Sequence, residues 1–117
     1  MTTSNNTSLA VVQQAVRDFR DARAWRQFHS PKNLSMAIAI EAAELMEHFQ
    51  WLTTTQAETL AQLDSPARQA ISAELADVLI YCFSLADVLE CDIAEIIFAK
   101  LAKNAQKYPA EKYRGRF

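Results

Sequence analysis

Glycine is almost missing from this 117-residue chain: Gly115 is the only one, and three prolines accompany it. Glycine is the residue that takes positive φ at no cost, so tight hairpins and phosphate-cradling glycine loops are excluded, and P-loop and Rossmann readings with them. The two cysteines, Cys82 and Cys91, are nine positions apart with no CxxC motif and no flanking histidine. That leaves no zinc set and points to a reduced, cytoplasmic setting. Long apolar runs are absent too. Half of the residues are hydrophobic, yet Glu41, Glu44 and Glu47 interrupt the best candidate, short of the roughly 18 residues a membrane span needs. A soluble protein with no membrane partner is expected. Residues 1–8 lack the basic and apolar regions of a secretory signal and read as a flexible leader.

Charge is scarce in net terms, at −2, but it is divided along the chain. Residues 1–99 hold 6 Lys and Arg against 13 Asp and Glu, whereas residues 100–117 hold 6 Lys and Arg against Glu111 alone. An acidic body repels a long polyanion, so nucleic-acid polymer binding is disfavoured, and a small phosphorylated ligand suits the pattern better. At 13.2 kDa the chain is one domain. It is small enough that an added interface helps it, so an oligomer is expected.

What is present is helix. Leu9, Val12, Val16 and Phe19 fall at helical spacing from Ser8 to about Arg23, with Arg17, Asp18, Arg20 and Asp21 assigned to the other side. An aromatic-bearing connection, Ala24 to His29, follows. Ser30-Pro31 and Ser65-Pro66 each read as an N-cap followed by a first-turn proline. They open helices running to about Trp51 and Glu90, separated by a polar loop from Thr53 to Asp64 with room for a short helical turn. Asp92 with Glu95 resembles a capping box and opens a last helix that Tyr108-Pro109 stops near Lys107. The fold class expected is all-α, a four-helix bundle spanning residues 9–109, with residues 110–117 as a basic tail.

Into the two most apolar helices the sequence sets two acidic pairs, Glu41-Ala-Ala-Glu44 and Glu74-Leu-Ala-Asp77. Residues three apart share a helix face, so two such helices side by side gather four carboxylates. No basic residue lies between Asn33 and Ala67 to pair with them. Hard divalent ions are the natural counter-charge, above all Mg²⁺, with Mn²⁺ able to substitute, and Mg²⁺ commonly holds a substrate phosphate as well. The plainer reading is a solvated surface of amphipathic helices. His48, one turn beyond Glu44, reads as a hydrogen-bonding neighbour of the site. Trp25, His29 and Trp51 suit packing at helix ends and stacking on a nucleobase equally well. Lys100, Asn104, Lys107 and Tyr108 lie at i, i+4, i+7 and i+8. They form either a solvated face complementing the helix dipole or a face turned to phosphates and sugar.

These segments together resemble the MazG-like all-α nucleoside triphosphate pyrophosphohydrolases, and within them the dCTP pyrophosphatase branch. The resemblance rests on the ExxE…ExxD order, Trp25-xx-Phe-His29, Pro31-Lys-Asn-Leu34, the Phe-Gln-Trp51 ending, Glu74-Leu-Ala-Asp-Val-Leu-Ile-Tyr81, and Lys100 through Asn104 to Tyr108-Pro109. Many MazG relatives open the first motif with two adjacent glutamates and place glycine before its last one; here Ile40 and Ala43 stand there.

The resemblance implies Mg²⁺-dependent conversion of a dNTP, foremost dCTP, to dNMP and pyrophosphate, a house-cleaning reaction on the nucleotide pool. It implies Glu41, Glu44, Glu74 and Asp77 as metal ligands, with Glu44 also orienting or deprotonating the attacking water. Trp25, His29 and Trp51 would shape the base pocket, while Tyr81, Lys100, Asn104 and Tyr108 would contact sugar and phosphates and Lys107 would add positive charge. It also implies a homo-tetramer, a dimer of dimers with sites near subunit interfaces. Two other readings stay open. One is a related pyrophosphohydrolase for dUTP, dATP or phosphoribosyl-ATP; the other is a non-catalytic helical oligomerisation or binding module.

Overall fold

In a computed structural model, which describes residues 1–116, the chain is all-helical, with no strand among those residues. Six α-helices, α1 (Leu9–Ala22), α2 (Pro31–Glu47), α3 (Thr54–Gln62), α4 (Pro66–Val88), α5 (Ile93–Lys107) and α6 (Ala110–Tyr113), are joined by short connections. A 3₁₀ turn, Trp25–Phe28, links α1 to α2. The long helices start where their caps dictate. The side chains of Ser8, Ser30, Ser65 and Asp92 accept from the backbone N–H groups of Val11, Asn33, Arg68 and Glu95 at 3.3, 3.1, 3.2 and 2.9 Å. Each cap satisfies a donor that the first helical turn leaves orphaned.

Several expected boundaries shift. The stretch from Thr53 to Asp64 is not a loop. Thr53 accepts from Gln56 N–H at 3.2 Å while Gln56 Oε1 accepts from Thr53 N–H at 2.9 Å, a full capping box that starts α3. At Asp92, by contrast, the cap is the single bond from Glu95 N–H. α2 ends at Glu47, leaving Phe49 to Trp51 in turns, and α4 ends at Val88. There Glu90 takes φ 55° and Cys91 N–H bonds Ala86 C=O at 2.8 Å, closing the helix in the left-handed manner usually given to glycine. The basic tail carries α6, and the Tyr108 and Tyr113 rings meet edge-on at 5.2 Å. At the other end, Thr3 N–H donates to Asn6 Oδ1 at 2.8 Å within a turn of the leader.

α2 makes the main contact with α4, α1 packs on α4 as well, and α3 touches α4 lightly, while α5 approaches the rest only sparsely. The first helix departs from its expected facing. Arg20 is only 6% exposed, because position 20 follows Val16 by one turn and lies on the apolar stripe rather than opposite it. It and Arg17 pair with Asp87 of α4, Arg17 Nε at 2.7 Å from Oδ1. The Asp87 carboxyl, though burial raises it, is held below its ordinary range by the two arginines.

Among the described residues few apolar side chains are sealed within the chain: Leu34, Ala86 and Ile93 are buried, while Ile96, Ile97, Phe98 and Leu101 of α5 are exposed. The radius of gyration, 17.1 Å, exceeds the roughly 13 Å of a compact domain of this length. Among the described residues, no helix is long and apolar enough to cross a membrane.

Candidate acidic metal centre and its aromatic cavity

Because α2 and α4 lie together, their acidic pairs meet. Carboxylate oxygens of Glu41, Glu44 and Glu74 all fall within 4.8 Å of one another. Glu41 Oε2 and Glu74 Oε2 are sealed from solvent with no hydrogen-bond partner, while Glu44 is exposed. Such acceptors are costly to bury unsatisfied. Among the described residues the ion pairs join Arg17 or Arg20 to Asp21 or Asp87, and none reaches this cluster. Burial foremost, then the hydrogen-bonding neighbour Glu44 and the charges of Glu44, Asp77 and Glu74, push the Glu41 carboxyl from 4.5 up to about 7. Three converging oxygen donors, two of them orphaned and without a protein cation, fit a hard divalent ion.

Asp77 acts on Glu41 through its charge but lies outside the three-way cluster, at the wall of an adjoining cavity. That cavity, about 560 Å³, lies between α1, the 3₁₀ turn and α4. Phe19, Arg20, Trp25, His29, Tyr81 and Ser84 line it together with Asp77. Its size falls within the roughly 300–1,000 Å³ of small-molecule sites. Trp25 is fixed edge-on against Phe19, centroids 5.9 Å apart, and the 3₁₀ turn opens with Ala24 at φ 53°. Trp25, His29 and Tyr81 also border a smaller space of about 270 Å³ with Asn33 and Leu34. Burial first, and then the charges of Arg20 and Arg26, lower the His29 pKa from 6.5, so the ring is neutral at pH 7.

Other candidates lie apart. Trp51, 87% exposed in the turns after α2, lines neither space, and neither does His48, the half-buried C-cap of α2. Lys100, Asn104, Lys107 and Tyr108 of α5 and its C-cap line neither, and the Lys107 ammonium instead sits 5.3 Å from the Tyr108 ring centre. Arg20, Ser84 and Phe19 line the cavity without having been singled out from the sequence as site residues. For Arg20 the signal was its i+4 spacing from Val16; for Ser84, its seven-residue spacing from Asp77 on α4.

Fold and site together define an all-α protein with an acidic cluster set beside an aromatic cavity. The chain belongs to the MazG-like family, whose model matches residues 36–116. It is 36% identical to mouse dCTP pyrophosphatase 1 over 112 residues and 38% identical to the human protein of that name over 108. These alignments cover 96% and 92% of this chain but 65% and 62% of the relatives, so the chain spans about two-thirds of their length. The crystal structure of a pyrophosphatase from Archaeoglobus fulgidus superposes with TM-score 0.80 at 35% identity, covering 93% of this chain and 99% of that one.

Proposed function

We propose that this protein is a Mg²⁺-dependent nucleoside triphosphate pyrophosphohydrolase that converts a dNTP, foremost dCTP, to dNMP and pyrophosphate. The observation that carries the reading is the uncompensated cluster of Glu41, Glu44 and Glu74 beside an aromatic cavity that shares Asp77 with it. The names borne by its relatives, dCTP pyrophosphatase and pyrophosphatase, agree. Glu41, Glu44, Glu74 and Asp77 hold the metal. When bound there, a divalent ion would supply positive charge to the triphosphate and to the departing pyrophosphate.

The chain's own groups do the rest. Glu44, the exposed member of the cluster, orients the attacking water and takes its proton. Trp25 stacks on the base and Tyr81 meets the sugar. Water attacks the α-phosphorus, the bond to the bridging oxygen breaks, and pyrophosphate leaves. Hydrolysis in ¹⁸O water checks this step: label belongs in the monophosphate, and label in pyrophosphate contradicts it.

Trp51, Lys100, Asn104, Lys107 and Tyr108 line neither cavity within the single chain. The exposed apolar face of α5 and the open shape of the chain support a homo-tetramer in which neighbouring copies bring these residues to each other's sites. Sedimentation equilibrium tests that assembly, and a monomer at micromolar concentration refutes it.

The activity is tested by pyrophosphate release from each common dNTP and NTP, with Mg²⁺, with Mn²⁺ and with EDTA, beside Glu41→Gln. Metal-dependent release led by dCTP and lost in the variant is expected. No release from any nucleotide returns the chain to a non-catalytic helical module.

A further inference from the structure

Arg20 is a cation buried at the wall of an apolar cavity, and its hydrogen bonds do not use the whole guanidinium. Nε donates to Asp21 Oδ1 at 2.8 Å and Nη1 donates to Asp87 Oδ2. Asp87 also accepts from Arg17, so two arginines converge on one carboxylate. A guanidinium carries five N–H donors, and those of Nη2 meet no acceptor among the described residues. Across the same cavity, Ser84 is 4% exposed and its hydroxyl likewise makes no hydrogen bond among the described residues. Unlike the orphaned oxygens of Glu41 and Glu74, neither group is sealed off. A buried ion pair contributes little net stability against an apolar replacement, so bracing α1 to α4 does not by itself explain a guanidinium at this wall.

The register along α4 orients a ligand. Asp77 marks the end of the cavity beside the carboxylates, and Ser84 lies seven residues on, about 10 Å along the helix axis. A nucleotide whose phosphates lie at the acidic centre therefore extends its base toward Arg20 and Ser84, past the Trp25 and Phe19 rings. Cytosine presents two adjacent acceptors on its pairing edge, O2 and N3. Uracil and thymine carry an N3–H donor there, which an always-charged guanidinium repels.

We infer that Arg20, assisted by Ser84, reads the base: the unused face of its guanidinium donates to the O2–N3 edge of cytosine and discriminates against uracil and thymine. This rests on the pyrophosphohydrolase reading for its substrate, and it assigns the specificity of that site to one buried side chain held in place by Asp87.

The test compares kcat/KM for dCTP and dUTP in wild type, Arg20→Lys, and the double variant Arg20→Met with Asp87→Leu. The double variant removes Arg20 together with its partly buried partner and leaves Arg17, about a third exposed, to solvent, so no buried charge is stranded if the single variant unfolds; circular dichroism checks the fold. Calorimetric binding of dCMP and dUMP, which needs no turnover, accompanies it. The expected result is a dCTP preference in wild type that falls about tenfold or more in either variant. Most of the change should appear as a raised KM for dCTP and weaker dCMP binding, with kcat falling less than KM rises. Equal losses on both bases, or a wild type that does not prefer cytosine, overturn the inference and leave the activity standing. Wild type that binds dCMP selectively yet hydrolyses no triphosphate overturns the activity alone, and the dCMP to dUMP binding ratio then decides Arg20. Neither binding nor turnover overturns both.

Discussion

If Glu41 serves the proposed metal centre, it must lose a proton first, and the fold makes that proton hard to lose. Its carboxyl is raised from 4.5 to about 7 because it is buried among Glu44, Asp77 and Glu74. Metal and proton therefore compete for one site. With a pKa of about 7 the ionised fraction grows from about a tenth near pH 6 to about nine-tenths near pH 8, so Mg²⁺ affinity should rise about tenfold across that interval. An ordinary carboxyl would be almost fully ionised at both ends, and affinity would barely move. Isothermal titration of Mg²⁺ into the protein at both pH values, in buffers of different ionisation enthalpy, measures the affinity and counts the protons released. A dissociation constant that is flat with pH, with no proton released near pH 6, would refute the reasoning.

The same raised pKa predicts a stability trend of opposite sign in the metal-free protein. A group whose folded pKa lies above its unfolded value contributes stability that is fully present below 4.5 and is lost as pH rises through about 7. The metal-free melting temperature should fall over that window, and Glu41→Gln should flatten the fall. At about pH 8 the variant should melt at or above wild type without metal, yet gain much less from added Mg²⁺. A side chain serving only packing or solubility does not reverse its effect with the metal.

Asp87→Asn should destabilise the fold by about 3 kcal/mol by leaving the buried Arg20 less compensated, measured by urea denaturation. Because the Asp87 pKa is held below 3.8, that stability is present above 3.8 and lost as pH falls through the lowered folded value, so the gap between variant and wild type should close in acid. Glu90→Gly should raise stability by about 1 kcal/mol, since Glu90 holds φ 55° at the end of α4; a lower melting temperature would contradict this. Thr53→Ala, which removes one half of the capping box, should cost about 1 kcal/mol and loosen amide protection in the first turn of α3.

The sequence made the start of each long helix legible because the relevant signals are local. Ser8, Ser30, Ser65 and Asp92 cap within three residues of themselves, and each lies where the structure places a cap. The pairing of α2 with α4 was legible as well, since a carboxylate pair in an apolar helix needs company, and Glu41, Glu44 and Glu74 do meet. α3 reads from the sequence as no more than a helical turn because its signal is polar: Thr53 and Gln56 make a capping box without an apolar run to announce it. Arg20 was misassigned because charge was given more weight than spacing. Its partner Asp87 is 67 residues away, and nothing local to either residue reveals the other.

The division of charge that the composition hinted at takes physical form in how the helices pack. The acidic centre is built by α2 and α4, whose packing against each other is the main contact of the fold, whereas the lysines of α5 sit on a helix that approaches the rest sparsely and exposes Ile96, Ile97, Phe98 and Leu101. An apolar face of that kind is costly to leave in water, and a nucleotide triphosphate carries more negative charge than one divalent ion neutralises. In the proposed tetramer one interface between copies would answer both demands, covering α5 and bringing its cations toward the acidic cluster. On that proposal assembly and catalysis would be coupled. Substitutions that charge the α5 face, such as Phe98→Glu, should lower activity and oligomeric state together while leaving Mg²⁺ binding at the Glu41 cluster within about twofold of wild type.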